Sequence, residues 1–224
     1  DLADLLQTHF GFSDFRDGQE EVIRALLADR PALAVFPTGG GKSLCYQLPA
    51  LLLDGLTLVV SPLIALMKDQ VDGLQKKGIP ATMINSTLSP GEQSERLREL
   101  AEGKFKLVYI APERFRSGQF IQALKSVPIA LFAVDEAHCV SLWGHDFRPD
   151  YHFIVKAWRE LGHPPILGMT ATATPRVRDD IQNALGQMRL ITTDVHRPTP
   201  RLEARQFSKN AQKNQALVAL CRQM

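Results

Sequence analysis

The sequence predicts an α/β fold in which a parallel β-sheet is covered by helices on both faces. Apolar, strand-like runs recur along the 224 residues, and segments with helical periodicity lie between most of them. A glycine-rich loop follows the first of these runs and precedes an apolar helix. Strands that alternate with helices form parallel sheets, and such sheets bind ligands at the carboxyl ends of their strands. We therefore expect the functional residues where the strands end.

The predicted elements follow from the spacing of the apolar residues. Short apolar runs predict strands over residues 32–36, 56–60, 81–84, 106–111, 129–134, 166–169 and 190–193. Apolar residues every three or four positions predict helices over residues 1–10, 20–28, 44–53, 63–77, 90–102, 113–124, 151–161 and 175–185. Gly11 ends the first helix, and Thr174 with Pro175 supplies an N-cap and a first-turn proline for the last.

The composition is that of a globular protein without metal or disulfide frameworks. Hydrophobic residues make up 45% of the chain and charged residues 22%, and the formal net charge of +2 is too small for binding nucleic acid by charge alone. Cys45, Cys139 and Cys221 are far apart in the sequence, so neither a disulfide framework nor a zinc site is indicated. No apolar run approaches the length of a membrane span. We expect reduced thiols, no membrane partner, and a location in the cytoplasm or nucleus.

The glycine-rich segment Pro37-Thr38-Gly39-Gly40-Gly41-Lys42-Ser43 has the context of a phosphate-binding loop, between a strand and a helix. Its glycines allow successive backbone N–H groups to point at an anion. Lys42 would contact the β- and γ-phosphates of a nucleotide, and the Ser43 hydroxyl would bind Mg²⁺. Phe36 stands where the strict pattern has glycine, and a glycine-rich turn before a core helix is the alternative.

Two carboxylates, Asp135 and Glu136, follow the apolar run of residues 131–134. One carboxylate is needed to hold Mg²⁺ beside Ser43, and we assign this role to Asp135. The next can orient or deprotonate the attacking water, which we assign to Glu136. His138 would sense the γ-phosphate through a hydrogen bond. An ordinary helix N-terminus is the alternative interpretation of this acidic pair.

The segment of residues 141–151 interleaves aromatic and charged side chains. Trp143, Phe147 and Arg148 lie close together, and Gly144 and Pro149 interrupt regular structure. An exposed loop of this kind can stack on the bases of a nucleic acid strand. The alternative is a loop that is fixed by packing of Trp143 into the core.

Three other positions have two interpretations each. The Gln19 amide suits the edge of an adenine ring, with Phe12 or Arg16 on its face, but such a glutamine is ordinarily a solvated helix residue. Ser61 and Arg114 follow strands, where they would contact nucleic-acid phosphates; the alternative, which the sequence favours, is an ordinary core helix, with Lys68, Asp69 and Gln70 solvated after Ser61. The hydroxyls of residues 170, 172 and 174 could bond to Asp135, Glu136 or His138.

Taken together, the motifs resemble those of RecQ-type DNA helicases of superfamily two, from about Leu5 to Pro198. The resemblance is carried by Phe15-Arg16-x-Gly18-Gln19, the loop and its continuation Leu44-Cys45-Tyr46-Gln47-Leu48-Pro49-Ala50, Ser61-Pro62-Leu63-Ile64-Ala65-Leu66-Met67-x-Asp69-Gln70, Asp135-Glu136-Ala137-His138-Cys139, Trp143-Gly144-His145-Asp146-Phe147-Arg148-Pro149 and Thr170-Ala171-Thr172-Ala173-Thr174. It implies a RecA-like P-loop domain and ATP-driven, 3′-to-5′ unwinding of duplex DNA in recombination or repair.

The resemblance also implies a role for each matching residue. Adenine is held by Phe12, Arg16 and Gln19. Phosphate and Mg²⁺ are served by residues 38–43, that is Thr38, Gly39, Gly40, Gly41, Lys42 and Ser43, together with Asp135 and Glu136. Coupling between DNA binding and hydrolysis belongs to His138, Trp143, Phe147 and Arg148.

The resemblance further implies the partners: single-stranded or duplex DNA and a second RecA-like lobe. We expect the first lobe over residues 1–195, an interlobe linker over 196–201, and the start of a truncated second lobe over 202–224. Since the second lobe supplies an arginine finger, the isolated fragment should hydrolyse ATP poorly. The rival functions are a nucleic-acid-dependent ATPase that remodels complexes without processive unwinding, and a binding module without catalysis.

Overall fold

The computed structural model describes residues 1–143 and 146–193, and the single residues 210, 213, 214 and 216. The chain divides into two compact units, Asp1–Asp194 and Val195–Met224. The predicted linker over 196–201 lies outside the described residues, as do most of residues 202–224. The start of a second lobe there stays a prediction.

Seven parallel strands form the sheet of the first unit, and each lies within one residue of its predicted bounds. They are β1 (Ala32–Val35), β2 (Leu56–Val60), β3 (Ala81–Ile84), β4 (Leu107–Ile110), β5 (Ile129–Val134), β6 (Ile166–Thr170) and β7 (Arg189–Thr192). The order across the sheet is β3-β4-β2-β5-β6-β1-β7, and every recorded pairing is parallel. Val35 pairs with Thr170 and Val60 with Val134, so the carboxyl ends of these four strands share one edge.

The helices also follow the prediction, with two exceptions. They are α1 (Leu2–Leu5), α2 (Gln19–Leu27), α3 (Leu44–Leu52), α4 (Ile64–Lys76), α5 (Pro90–Ala101), α6 (Gly118–Leu124), α7 (Asp150–Glu160) and α8 (Pro175–Leu185). The first exception is residues 1–10, where α1 continues as a π-helical turn, Leu6–Phe10. Among the described residues, none of the helices is both long and apolar enough to span a bilayer.

The second exception is the predicted single helix over residues 113–124, which is wrong. The segment forms a 3₁₀-helix, Pro112–Arg116, and then α6, with Ser117 in an extended conformation between them. The Ser117 side chain accepts a hydrogen bond from the Phe120 backbone N–H at 3.3 Å and so caps α6. A serine that caps a new helix competes with continuation of the previous one.

Helices cover both faces of the sheet, as predicted. One buried cluster joins alternate strand residues such as Ala34 and Ala133 to the apolar sides of α2, α3 and α4. The other joins the intervening residues, such as Leu33 and Phe132, to α5, α6, α7 and α8. Strands inside the sheet, such as β1, β4 and β6, are buried on both faces and are continuously apolar, so their bounds could be predicted closely, whereas the edge strand β7 is mostly exposed.

Candidate nucleotide-binding site

The glycine-rich loop lies between β1 and α3, at the carboxyl edge of the sheet. Gly39 and Gly41 have φ angles of 79° and 74°, a conformation that favours glycine. The Gly40 backbone N–H donates to the Pro37 carbonyl at 2.9 Å and closes a tight turn. A Cβ atom on Gly41 would lie 2.4 Å from Nε2 of Gln19. The loop geometry therefore requires glycine at position 41 both for its conformation and for space.

The Lys42 side chain is directed into this loop. Its Nζ atom donates hydrogen bonds to the carbonyl oxygens of Phe36 at 3.1 Å and Pro37 at 3.4 Å. Ser43 follows and is the N-cap residue of α3. A cation inside a loop of backbone N–H groups, beside a helix N-terminus, forms a site suited to a phosphate group.

A cavity of about 430 Å³ joins this loop to the carboxyl end of β5. Its lining includes residues 38, 39 and 41–43 of the loop together with Asp135 and Glu136. The structure thus brings the predicted phosphate, metal and water-activating residues into one space. The remaining walls come from α3, α4, β4, β6 and Ser61.

Asp135 continues from β5 and is largely buried. Its Oδ1 atom accepts a hydrogen bond from the Glu136 backbone N–H at 3.0 Å, and its Oδ2 atom accepts one from the Ser61 hydroxyl at 3.4 Å. Burial and the negative charge of Glu136 raise the pKa of Asp135 to about 6, against the opposing effects of that N–H, Lys42 and Ser61. A carboxylate and hydroxyls at a phosphate site are ligands that Mg²⁺ prefers, so these residues fit the ion.

Glu136 adopts a left-handed backbone conformation, with φ 50° and ψ 44°. Such a conformation costs a residue with a side chain on the order of 1–2 kcal/mol, and outliers of this kind concentrate at functional sites. Glu136 lies between the end of β5 at Val134 and a short 3₁₀-helix, and its carboxylate lines the cavity. The backbone thus places two consecutive carboxylates in the same space.

His138 connects Glu136 to the end of β6. The ring is buried, with Nδ1 at 2.9 Å from the Thr170 hydroxyl oxygen and 3.2 Å from Oε2 of Glu136. The Thr170 hydroxyl donates to the Thr172 carbonyl at 3.0 Å, so we assign a proton to Nδ1, which then donates to the Thr170 oxygen. One of the predicted hydroxyl contacts is therefore present, through Thr170. Thr174 caps α8, also as predicted, by accepting from the Val177 N–H.

A second cavity, of about 240 Å³, lies beside the first and shares Gly41 and Ser43 with it. Phe12, Arg16 and Gln19, the predicted adenine-binding residues, all line it. Asp14 and Lys77, which no sequence motif indicates, line it as well. Two cavities with shared lining residues are what the phosphate end and the base end of one nucleoside triphosphate would require.

Gln19 is not a solvated helix residue, because it is only 3% exposed. Its Oε1 atom accepts from the Arg16 backbone N–H at 2.8 Å, and its Nε2 atom donates to the Gly41 carbonyl at 3.0 Å. The Arg16 guanidinium donates to the Gly39 carbonyl. The segment that lines the second cavity is thereby hydrogen-bonded to the glycine-rich loop.

A buried polar network that sequence reasoning missed links α3 to α4. Nε2 of Gln47 donates to Oε1 of Gln70 at 2.7 Å and to the Tyr109 hydroxyl at 3.3 Å, and Tyr109 donates to the Tyr46 hydroxyl at 3.2 Å. Burial raises the pKa of Tyr109 to about 12. The available signal was a glutamine within an otherwise apolar predicted helix.

The aromatic segment is not fixed by packing of Trp143, because this side chain is 63% exposed. Its face instead contacts the Arg176 guanidinium, at 3.6 Å from the ring centroid. Phe147 and Arg148 are partly buried, and the Arg148 backbone N–H donates to the Cys139 carbonyl at 3.1 Å. The structure therefore keeps the base of this segment close to the carboxylates.

One group of potential metal ligands lies at the base of the aromatic segment. His138, Cys139 and Asp146 each place one ligand atom within 4.8 Å of the others. However, Oδ2 of Asp146 accepts from Nη2 of Arg148 at 2.7 Å and from its Nε at 3.0 Å. The arginine therefore occupies the carboxylate that a metal ion would need.

The Ser61 hydroxyl lies at the nucleotide cavity rather than on the surface. It is buried, donates to Oδ2 of Asp135 and lines the cavity, which favours the ordinary interpretation of this position over a contact with a nucleic-acid phosphate. The Arg114 guanidinium lies 5.2 Å from the Phe120 ring centroid, and its Nε atom is buried without a hydrogen-bond partner. A nucleic-acid contact by Arg114 stays a prediction.

The fold and the site define a P-loop nucleotide-binding domain, with the loop after β1 and an acidic pair after β5, two strands away in the sheet. A family model of DEAD/DEAH box helicases matches residues 16–181, and the chain belongs to this family. Among relatives, RecQ of Bacillus subtilis, an ATP-dependent DNA helicase, is 55% identical over 179 residues, which cover 79% of this chain and 30% of that protein. The probable helicase RecS of the same organism is 42% identical over 222 residues, covering 98% and 44%.

Other comparisons agree with this assignment. The rat ATP-dependent DNA helicase Q5 is 47% identical over 188 residues, covering 80% of this chain and 19% of that one. The resemblance to RecQ-type helicases is thus confirmed, and the chain spans less than half of each relative's length. The Pyrococcus furiosus Hef helicase domain superposes with a TM-score of 0.61 at 21% identity, covering 82% and 38%, and DNA-bound MrfA with 0.69 at 20%, covering 86% and 29%. These structures confirm the RecA-like fold.

Proposed function

We propose that this chain is the nucleotide-binding lobe of a RecQ-type ATP-dependent DNA helicase, which couples ATP hydrolysis to unwinding of duplex DNA with 3′-to-5′ polarity. One observation carries the proposal: a single cavity of about 430 Å³ contains the glycine loop and both carboxylates that follow β5. The names of the relatives support ATP as the nucleotide and DNA as the substrate. The same proposal includes a role in recombination or repair and a location in the cytoplasm or the nucleus.

The phosphate loop would bind the triphosphate through its backbone N–H groups and Lys42. The Lys42 ammonium now rests on two loop carbonyls, and it would exchange these for oxygens of the β- and γ-phosphates. Ser43 and Asp135 would hold Mg²⁺. When bound, the ion neutralises the charge that develops on the phosphates. Its positive charge would also keep the Asp135 carboxyl ionised, against the burial that raises the pKa of this group.

Glu136 would orient the attacking water and accept its proton. The left-handed backbone of Glu136 turns its carboxylate into the cavity, one residue beyond the metal-binding carboxylate. The His138 N–H, at 3.2 Å from Oε2, holds this carboxylate in place. Because His138 also contacts Thr170, a change at the γ-phosphate could reach the end of β6 and the aromatic segment.

The base of the nucleotide would lie in the smaller cavity between Phe12 and Arg16. Gln19 retains one free N–H and one free lone pair after its bonds to the Gly41 carbonyl and the Arg16 N–H. These remaining groups suit an adenine edge. Because Gln19 is hydrogen-bonded to the loop, the position of the amide that would contact the base depends on the conformation of the loop.

The partners of this lobe are DNA and a second RecA-like lobe of the whole protein. An arginine finger from a partner domain is typically worth ~10³–10⁵ in rate. We therefore expect this lobe alone to bind nucleotide weakly and to hydrolyse it poorly. A remodelling ATPase without processive unwinding is the remaining alternative, and strand displacement by the full-length protein distinguishes the two.

The substitution Glu136→Gln in the full-length protein tests the catalytic assignment. We expect nucleotide binding to persist, because Glu136 contacts no phosphate in this scheme, and hydrolysis to fall by at least ~10²-fold. Glu95→Gln, at an exposed position of α5, is the matched control and should leave both unchanged. Unchanged hydrolysis by Glu136→Gln would overturn the assignment. Loss of nucleotide binding as well would show that Glu136 supports the fold of the site rather than the water.

A further inference from the structure

Arg176 and Trp143 form a stacked pair on the surface. The guanidinium carbon lies 3.6 Å from the ring centroid, a distance that is possible only directly over the face of the ring. Trp143 is nevertheless 63% exposed, so the arginine covers one face and leaves the other accessible. An exposed tryptophan with one face occupied by a cation is neither a core residue nor an unsupported surface side chain.

Both members of the pair are attached to α8. Arg176 lies in the first turn of this helix, directly after the Thr174 cap and Pro175. The Trp143 backbone N–H donates to the Ser141 Oγ atom at 3.1 Å, and the Ser141 hydroxyl donates to Oδ2 of Asp180, one turn further along α8. The same helix therefore positions the ring and the guanidinium relative to each other.

The guanidinium retains its hydrogen-bonding capacity. Within residues 1–143 and 146–193, no carboxylate or carbonyl is recorded as a hydrogen-bond or ion-pair partner of Arg176, whereas the Arg178 Nε atom donates to the Ala173 carbonyl. The acidic side chains of α8 are Asp179 and Asp180, and the second is engaged by Ser141. Arg176 thus presents a planar cation beside an open aromatic face.

The resemblance already implies that Trp143 contacts DNA; we propose that Arg176 completes this contact, so that the two side chains form one binding site for a nucleotide unit of single-stranded DNA. A base stacks on the open face of Trp143, and the guanidinium on the opposite face donates to an adjoining phosphate. The cation fixes the ring in one orientation before the strand arrives, which reduces the ordering cost of binding. The shared chemistry is a nucleobase with its phosphate, and the choice of DNA rests on the proposed function.

Binding of fluorescein-labelled oligodeoxythymidylate by the full-length protein, measured by anisotropy over a range of salt concentrations, tests the site. Arg176→Ala should weaken binding by about 3–10-fold and should reduce the slope of log K against log salt by ~0.7, the value for one phosphate contact on a single strand. Arg176→Lys should restore the slope but not the full affinity, because an ammonium is not a planar stacking partner.

A double-substitution cycle separates a joint site from two independent contacts. Trp143→Ala should weaken binding with little change of slope, and the double variant should lose less than the product of the two single effects. Arg24→Ala removes the same charge from an exposed ion pair on α2, so its affinity and slope should match the wild type. Independent effects of the two substitutions would overturn the joint site.

Two further results would overturn the proposal. If Arg176→Ala bound the strand more tightly, the arginine would be covering the ring against DNA rather than cooperating with it. If the affinity and the salt slope of Arg176→Ala were both unchanged, the stacked pair would have only a structural role. Equal or tighter binding of oligouridylate by the wild type would overturn the choice of DNA. Failure of the proposed function is distinct, because the wild type would then show no DNA-stimulated ATP hydrolysis at all.

Discussion

Replacing Asp135 with asparagine is expected to stabilise the protein at pH 8 while it abolishes hydrolysis. The pKa of Asp135 is raised to about 6, first by burial and then by the charge of Glu136. In the unfolded chain an aspartate titrates near ~3.9. The folded state therefore binds more protons than the unfolded state between these two values, and the carboxylate must be ionised at a cost when the pH rises above 6.

The magnitude follows from the size of the shift. A change of about two pKa units, at ~1.4 kcal/mol each, corresponds to a contribution of roughly 3 kcal/mol. This contribution favours folding below pH 4 and is lost as the pH rises through 6. Asparagine has no such titration, and it can keep both contacts, with its Oδ1 accepting from Glu136 N–H and its Nδ2 donating to Ser61. The variant should gain up to ~3 kcal/mol over the wild type at pH 8 and almost nothing at pH 4.

Chemical denaturation of both proteins from pH 4 to pH 8, without nucleotide or Mg²⁺, measures this difference directly. Asp54→Asn, at an exposed position, is the control and should show no pH-dependent gain. Glu136→Gln should stabilise in the same direction by less, because it removes only the secondary cause. Equal stability of Asp135→Asn and the wild type at pH 8, or a difference that grows towards pH 4, would refute the reasoning.

Three further predictions concern the walls of the two cavities. Gly41→Ala should weaken nucleotide binding at least ~10-fold in a fluorescent-nucleotide titration, because φ is 74° there and the new Cβ would lie 2.4 Å from Nε2 of Gln19. Gln47→Leu should lower the free energy of unfolding by ~1–3 kcal/mol in urea, since it leaves the Gln70 amide without its partner at 2.7 Å. Lys77→Ala should raise the KM for ATP severalfold with kcat unchanged, because Lys77 lines only the base cavity.

The sheet could be predicted from the sequence because most of its strands are buried on both faces. That burial makes such a strand an apolar run, and β1 and β5 therefore stand out without any knowledge of their neighbours. The helix over 113–124 could not be predicted, because apolar spacing continues through Ser117 while the capping contact to Phe120 divides the backbone. Local periodicity does not reveal which of two competing hydrogen-bond patterns a serine adopts.

The same distinction between local and distant features applies to the site. The glycine-rich loop and the two carboxylates were predictable, because glycines before Lys42 and acidic residues after a buried strand are local features that the parallel sheet brings to one edge. The sequence did not indicate the roles of Lys77, Gln70 and Arg176, because each of these residues reaches its position from a helix that is distant in sequence. The two interpretations of Ser61 could not be decided from the sequence for the related reason that its orientation depends on burial beside Asp135.

ATP hydrolysis by the full-length protein, with and without single-stranded DNA, tests most directly the claim that the loop and the acidic pair form one hydrolytic site coupled to the aromatic segment. The wild type, Lys42→Ala and Trp143→Ala should be compared. We predict stimulated hydrolysis by the wild type, none by Lys42→Ala, and loss of the stimulation in Trp143→Ala. Hydrolysis by Lys42→Ala at the rate of the wild type, or full stimulation without Trp143, would contradict the account.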